Sequence, residues 1–251
     1  MREALDNMNP GTLYLIPSPL GESALDTILP EQVRAIAARL DTFVVEHPKT
    51  ARAFLKQIGT HTPLQQLNLL VLDEHTPETE LATLLAPLLA GKDIGLISEA
   101  GCPAVADPGS NLVRLAHQKK IRVVPLAGPS SILLSLMASG LSGQHFAFHG
   151  YLPVDKAERK KKLQELEQVS ASRIETEIFI ETPYRNQHML EAIVENCGDT
   201  TALCVAVDVT LATEWIHTKT VAEWKKQLPE IDKRPAVFLL LAAAAKKVKA
   251  R

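Results

Sequence analysis

Ile94-Gly95-Leu96-Ile97-Ser98-Glu99-Ala100-Gly101-Cys102-Pro103 is the stretch that decides the fold. Its first four residues are apolar without alternation, which is the pattern of a strand buried on both faces, and the polar turn after them, with a glycine and a proline, ends the strand. Upstream the pattern repeats. Leu13-Tyr14-Leu15-Ile16 runs into Pro17-Ser18-Pro19-Leu20-Gly21, where two prolines remove backbone donors and restrict the chain. Thr42-Phe43-Val44-Val45 and Leu69-Leu70-Val71-Leu72 are a second and third strand, and Arg122-Val123-Val124-Pro125 is a fifth.

Helical spacing fills the intervals. Val33, Ile36, Ala37 and Leu40 form a core-facing stripe with Pro30 in its first turn. A helix from Thr50 to Ile58 buries Phe54, Leu55 and Ile58. Thr76 caps, and Pro77 opens, a helix whose face is Leu81, Leu84, Leu85 and Leu88; Pro87 predicts a kink and Gly91 the stop. Another helix spans Leu112 to Lys119. Strands alternating with helices, each strand apolar throughout, predict an α/β fold with a mostly parallel sheet flanked by helices.

The turn-rich run Pro125-Leu126-Ala127-Gly128-Pro129-Ser130 predicts a domain junction, giving an N-terminal domain over 1–127 and a C-terminal one over 128–251. The second half is more mixed. Helices are expected at Ser131–Ser139, Asp155–Gln168 and Tyr184–Glu195, and strands at Phe146–Phe148, Glu177–Glu181, Leu203–Val209, Glu214–His217 and Val237–Leu241. The short connections between the last three predict antiparallel pairing and hence a mixed sheet.

The totals exclude several classes. A formal net charge of −2 gives no overall attraction to nucleic acid or membrane, so an anionic partner needs a local patch. Two patches qualify, Glu158-Arg159-Lys160-Lys161-Lys162 and the tail Lys246-Lys247-Val248-Lys249-Ala250-Arg251, although each also reads as a solvated helix face or a frayed end. An aromatic content of 4% argues against a stacking platform for single strands. Cys102, Cys197 and Cys204 form neither a disulfide framework nor a zinc pattern, which fits a reducing, cytoplasmic setting without a bound metal. The polar start Met1-Arg2-Glu3 is not a signal segment. The longest apolar run, Ala236 to Ala245, is too short for a membrane span and reads as a buried strand with an alanine-rich tail.

Three loops fall where parallel sheets bind ligands, at the carboxyl ends of strands: Pro17–Gly21, Ser98–Pro103 and Asp107-Pro108-Gly109. Any one of them is an ordinary turn. Together they offer stiff, closely approachable backbone that suits a nucleoside with an amino-acid tail. These segments also resemble a known family. Gly11–Gly21, Leu96–Gly109, Val123–Ser131, Phe148–Pro153 and Ile180–Arg185, in this order, are similar to the ribosomal RNA small-subunit methyltransferase I family of the tetrapyrrole methylase superfamily. The resemblance spans nearly the whole chain. It implies a two-domain tetrapyrrole methylase fold with S-adenosylmethionine in the cleft between the domains, and a homodimer. The residues it places at the cofactor are Pro17, Leu20, Gly21, Ser98, Glu99, Gly101, Cys102, Ser131, Ile132, Glu181, Thr182, Val207 and Ala236. Glu99 stands where the superfamily usually carries aspartate.

The chain departs from the pattern at charged positions. A family Glu-Asp-Thr-Arg run is Glu46-His47-Pro48-Lys49 here, Arg-Glu-Leu-Thr-Lys is Val207-Asp208-Val209-Thr210-Leu211, Lys-Gly-Glu is Arg234-Pro235-Ala236, and an asparagine is Glu22. Methyl transfer to a ribose hydroxyl needs a base, for which Glu46, His47, His149 and Asp208 are the candidates. Three expectations follow for function: RNA methylation, methylation of a small molecule such as a tetrapyrrole, or binding of S-adenosylmethionine without catalysis.

Overall fold

A computed structural model of the chain describes residues 9–243. The chain divides after Ser130 into two compact units. The first contains β1 (Thr12–Ile16), α1 (Leu25–Ile28), α2 (Glu31–Arg39), β2 (Thr42–Val45), α3 (Pro48–Ile58), β3 (Asn68–Val71), α4 (Leu81–Leu84), α5 (Ala86–Leu89), β4 (Ile94–Ile97), α6 (Gly109–Gln118) and β5 (Arg122–Pro125). Its strands form one sheet in the order β3-β2-β4-β1-β5. Every pairing in it is parallel.

The apolar runs account for this sheet. All four residues of β2 and of β4 are buried, as continuous hydrophobicity requires of central strands. β3 and β5 are the edges, and the two end residues of each are exposed, so the expectation of burial on both faces holds only for the interior of the sheet. One face packs Ile16, Phe43 and Val45 against α1, α2 and α3. The other packs Leu13, Val44 and Leu96 against α4, α5 and α6. Consequently β1 leads into helices on one face and its neighbour β4 into a helix on the other. That reversal makes the carboxyl ends of β1 and β4 a topological switch point, the place where open α/β sheets bind ligands.

Several local expectations change. Thr76 caps no helix; its hydroxyl donates to the Asp73 carboxylate, and a single 3-10 turn, Glu78–Glu80, follows Pro77. The predicted leucine helix is two four-residue pieces parted at Leu85, because Pro87 lacks the N–H that would continue the ladder. The four leucines of the predicted face, Leu81, Leu84, Leu85 and Leu88, are nevertheless buried. Pro30 sits at the cap of α2, not inside its first turn, and Ile58 is only partly buried.

The second unit contains α7 (Ser131–Ser139), β6 (Phe146–Tyr151), α8 (Lys156–Arg173), β7 (Thr176–Ile180), α9 (Asn186–Asn196), β8 (Ala202–Val207), β9 (Trp215–Thr220), α10 (Val221–Trp224) and β10 (Ala236–Leu241). The strand order is β6-β7-β10-β8-β9. β6 and β7 run parallel, while β10 is antiparallel to β7 and β8, and β8 to β9, giving the mixed sheet expected. Phe179, Phe238, Leu240, Val205 and Leu203 share one face with Leu163 and Leu166 of α8 and Leu190 and Ile193 of α9. The other face carries α7, where the Thr218 hydroxyl donates to the Ser139 carbonyl at 2.7 Å.

Asp155 caps α8 by accepting from the Ala157 and Glu158 amides, and the helix runs to Arg173, beyond the expected end at Gln168. β8 stops at Val207, earlier than expected, because Asp208 and Thr210 take left-handed φ of 51° and 73°. The alanine and lysine tail after Ala243 lies outside the described residues.

One glycine of the first unit is fixed by its neighbours. A Cβ on Gly11 would sit 2.1 Å from the Lys92 carbonyl oxygen, a backbone atom that cannot swing away. At Gly143 nothing lies within 4 Å. Gly11→Ala is therefore expected to cost about 1–3 kcal/mol, the usual penalty of overpacking, with Gly143→Ala as the near-neutral control. Thermal melts check this, and equal midpoints for the two variants would refute the close approach.

Candidate functional site

The loops after β1 and β4 hold each other at the switch point. The Ser18 amide donates to the Gly101 carbonyl at 2.9 Å and the Gly101 amide donates back to Ser18 at 3.0 Å. The Ser18 hydroxyl donates to the Ser98 carbonyl at 2.8 Å, and the Ser98 hydroxyl donates to Gly101 at 3.1 Å. Both serines are buried. Gly101 turns with φ of 72°, a conformation that costs glycine little. Gly128 lets the following segment approach, since a Cβ there would lie 2.4 Å from that of Pro17. The Cys102 thiol points at the Pro129 carbonyl, 3.5 Å away, and burial pushes that thiol's pKa up.

The third loop is built around Asp107, whose carboxylate accepts from the Ala104 amide at 3.0 Å and the Gly109 amide at 2.8 Å. Ala104 and Ala106 both take left-handed φ, 66° and 53°. Such strain at two alanines is held by the surrounding bonds and is characteristic of functional loops.

Beside the first two loops opens a cleft of about 270 Å³. Val45 and Ile97 line it from the strand ends, Thr50, Phe54 and Gln57 from one face of α3, and Glu22 and Glu99 are among its polar groups. Among the described residues, no lysine or arginine lines it. The carboxylates here crowd one another. Glu46, just past β2, has its pKa raised, first by burial and then by the charges of Asp107 and Glu99. His47 offsets this in part, with its Nδ1 3.6 Å from Glu99 Oε1.

The structure thus brings Pro17, Leu20, Gly21, Ser98, Glu99, Gly101 and Cys102 together at one end of the first sheet, with Glu46 and His47 next to them. In the second unit, Thr182 and Glu181 follow β7, and Val207 faces Ala236 in register, so these four share one end of that sheet. Ser131 and Ile132 open α7. Glu181 is already engaged: Oε1 accepts from Arg185 Nη2 at 2.6 Å and Nε at 3.0 Å and from the Thr182 amide at 2.7 Å, while its buried Oε2 has no partner among the described residues.

The remaining base candidates are committed elsewhere. Asp208 is buried and accepts from Arg234 Nε at 2.9 Å and from the Thr213 hydroxyl at 2.8 Å. His149 Nε2 lies 2.5 Å from Glu177 Oε2, and Glu177 is fully buried. Burial pushes the Glu177 carboxyl upward, partly offset by His149. In the strand order, β7 and β10 separate β6, which carries His149, from β8, which ends beside Asp208, so the two candidates do not share a centre.

Sequence reasoning missed the α3 wall. Thr50, Phe54 and Gln57 recur at helical spacing directly after the candidate Glu46, and that spacing was the available signal. It also missed Glu177, Arg185 and Arg234; Glu177 and Arg234 act through partners 28 and 26 positions away and have no local signature, whereas Arg185 pairs with Glu181 four positions before it.

Comparison with known proteins agrees with this geometry. The family model for tetrapyrrole (corrin/porphyrin) methylases matches residues 12–225. A protein of Escherichia coli O157:H7 named ribosomal RNA small subunit methyltransferase I is 32% identical over 228 residues, 90% of this chain and 75% of its own length. Its namesake in Bacillus subtilis (strain 168) is 34% identical over 219 residues, 85% of this chain and 68% of its own length. Among solved structures, the methyltransferase CobJ has a TM-score of 0.61 at 19% identity, covering 96% of this chain and 97% of its own. Cobalt precorrin-4 methyltransferase, CbiF, has a TM-score of 0.56 at 15% identity, covering 92% and 94%. These two likenesses show the fold. With the family match and the relatives taken together, the chain belongs to the tetrapyrrole (corrin/porphyrin) methylase family, on its ribosomal RNA small subunit methyltransferase I branch, and is a methyltransferase.

Proposed function

We propose that this methyltransferase takes its methyl group from S-adenosylmethionine and delivers it to a ribose hydroxyl of small-subunit ribosomal RNA. The observation that carries the reading is the shared name of relatives that align with most of this chain. An acceptor in the ribosome puts the enzyme in the cytoplasm; no helix among the described residues is long and apolar enough to cross a membrane. The homodimer implied by the resemblance is proposed with it.

The residues at the switch point fit the methyl donor. That molecule carries positive charge at its sulfonium and its ammonium, and the groups offered here are carboxylates and backbone carbonyls on stiffened loops. Among the described residues the Glu99 carboxylate accepts no hydrogen bond and has only a 3.6 Å approach from His47, so it is available to accept from ribose hydroxyls or an ammonium. When bound, the donor supplies an electrophilic methyl whose leaving group is already neutral on departure. The protein's part is then alignment and exclusion of water, which the locked loops and the apolar wall of Val45, Ile97 and Phe54 provide.

A hydroxyl acceptor must also lose its proton. Of the four candidates, Glu46 is the best suited to remove it. Its carboxyl is raised toward the working pH and no ion pair among the described residues consumes it, unlike Asp208 and His149. One observation favours a small-molecule acceptor instead, the apolar cleft without cations. The same carboxylates, Glu22 and Glu99, disfavour a polycarboxylate such as a tetrapyrrole.

Three outcomes check these assignments. Labelled methyl from S-adenosylmethionine should appear in ribosomal RNA when the protein is incubated with small subunits or their RNA; binding of the donor with no label in RNA would sink the acceptor. Glu99→Ala should weaken donor binding in a calorimetric titration well beyond Glu99→Asp, and equal affinities would remove Glu99 from the site. Glu46→Gln should lower turnover by about 10²–10⁴-fold while leaving donor affinity in place, and wild-type activity should fall as pH drops through the raised Glu46 value. Stability carries the opposite sign. Because folding raises this carboxyl above its ordinary 4.5, Glu46 contributes stability below that value and loses it as pH rises through the folded one. Glu46→Gln should therefore melt higher than wild type at pH near 7 and lose the advantage near pH 4; a constant difference across that range would refute the raised carboxyl.

A further inference from the structure

We propose that the carboxyl ends of β6 and β7, together with the first two turns of α8, form a docking face for single-stranded RNA. The inference rests on the reading that RNA is the acceptor, and it names the part of the second unit that would hold the strand.

Between Asp155 and Lys162 the sequence holds five cations against two carboxylates, in a chain whose formal net charge is −2. The structure sorts these groups. Asp155 is used as the helix cap. Arg159 donates to the Val154 carbonyl at 3.0 Å, which fixes the approach to the helix, and Lys162 pairs with Glu165 at 3.0 Å. Lys156, Lys160 and Lys161 are exposed, and none of them has an ion pair among the described residues. Lys156 and Lys160 stand one helical turn apart on one face, and Lys161 follows next round the helix. Free ammonium groups grouped in this way bind phosphates as point charges, without demanding sequence.

Aromatic side chains stand at the strand end that leads into this helix. The chain has only three tyrosines, and two of them are exposed at this end of the sheet. Tyr151 ends β6, is 58% exposed and lies opposite Ile180 in the parallel register with β7. Tyr184 follows four residues after Ile180 and is 73% exposed. The low aromatic content, read from the sequence as evidence against a stacking platform, conceals this concentration. Exposed rings at the strand end and unpaired cations on the helix that follows it supply the two parts of a single-strand site, faces on which bases stack and charges that neutralise the backbone.

The alternative of an anionic membrane fits less well. A helix that lies on a bilayer keeps an apolar face for the lipid. The apolar residues of α8, Leu163 and Leu166, are spent in the core of their own unit.

The test uses the whole protein and a short labelled single-stranded RNA, followed by fluorescence anisotropy over a salt series. The variant with Lys156→Ala, Lys160→Ala and Lys161→Ala together should bind more weakly at low salt, and its logarithmic salt dependence should be shallower by about 2 for three lost phosphate contacts. Its affinity for S-adenosylmethionine should stay at the wild-type value, showing that it is folded. Tyr151→Ala and Tyr184→Ala should each weaken RNA binding about tenfold with the salt slope unchanged. If wild type binds and methylates RNA and the triple-lysine variant does so with the same affinity and slope, the face is only solvated and the inference is overturned while the acceptor reading stands. If wild type neither binds nor methylates RNA, both fall. Binding to vesicles containing anionic phospholipid, with none to RNA, would overturn the inference in favour of a membrane.

Discussion

The reciprocal backbone pair between Ser18 and Gly101 is the contact on which the site depends. β1 and β4 are neighbours, yet their continuations leave for opposite faces of the sheet. Past the last ladder bond, the amides and carbonyls of both loops are near the interior and need partners. They find them in each other, supplemented by two buried serine hydroxyls that bond to backbone carbonyls. The consequence is a crevice whose walls are set before any ligand arrives. Had these loops been free, Glu99 would have had to be ordered on binding, at a cost in affinity.

The net charge near zero hides two opposite local fields. The first unit gathers Glu22, Glu46, Glu99 and Asp107 around its switch point, and the Glu46 carboxyl is raised there, first by burial and then by the charges of Asp107 and Glu99. The second unit exposes lysines on the opening turns of α8. An acidic crevice suits a cationic methyl donor, and a basic face suits a phosphate backbone. Averaging over the chain erases both, so a whole-chain charge argument excludes only global attraction.

What the sequence discloses follows from range. Strands β1, β2 and β4 are legible because each is a continuous apolar run followed closely by proline or glycine, and Pro87 by itself announces the broken helix. α8 reads too short because only a few widely spaced residues, among them Leu163, Leu166 and Ser170, mark its buried side amid charges. Thr76 misleads because a threonine before a proline satisfies the local rule for a cap, while the competing partner, Asp73, is equally local. The loops of the site are legible from their glycines and prolines. The pairings that commit Asp208, His149 and Glu181 are not, since two of the three join residues 26 and 28 positions apart.

The departures from the family pattern take on a different meaning in the folded chain. Asp208 and Arg234 lie in two of the altered motifs, yet each keeps the charge of the family residue it replaces, a glutamate and a lysine. In the structure they bond to each other, with Arg234 also donating to the Thr213 carbonyl at 2.7 Å. The two altered motifs therefore meet through one pair of opposite charges. Asp208 is buried and Arg234 partly exposed, so removing the arginine would leave a buried carboxylate without its cation. Decay of an unused site has no reason to keep matched partners. The pair is thus evidence that this end of the second unit is still held to a definite geometry, which weighs against the reading that this branch binds the methyl donor without using it.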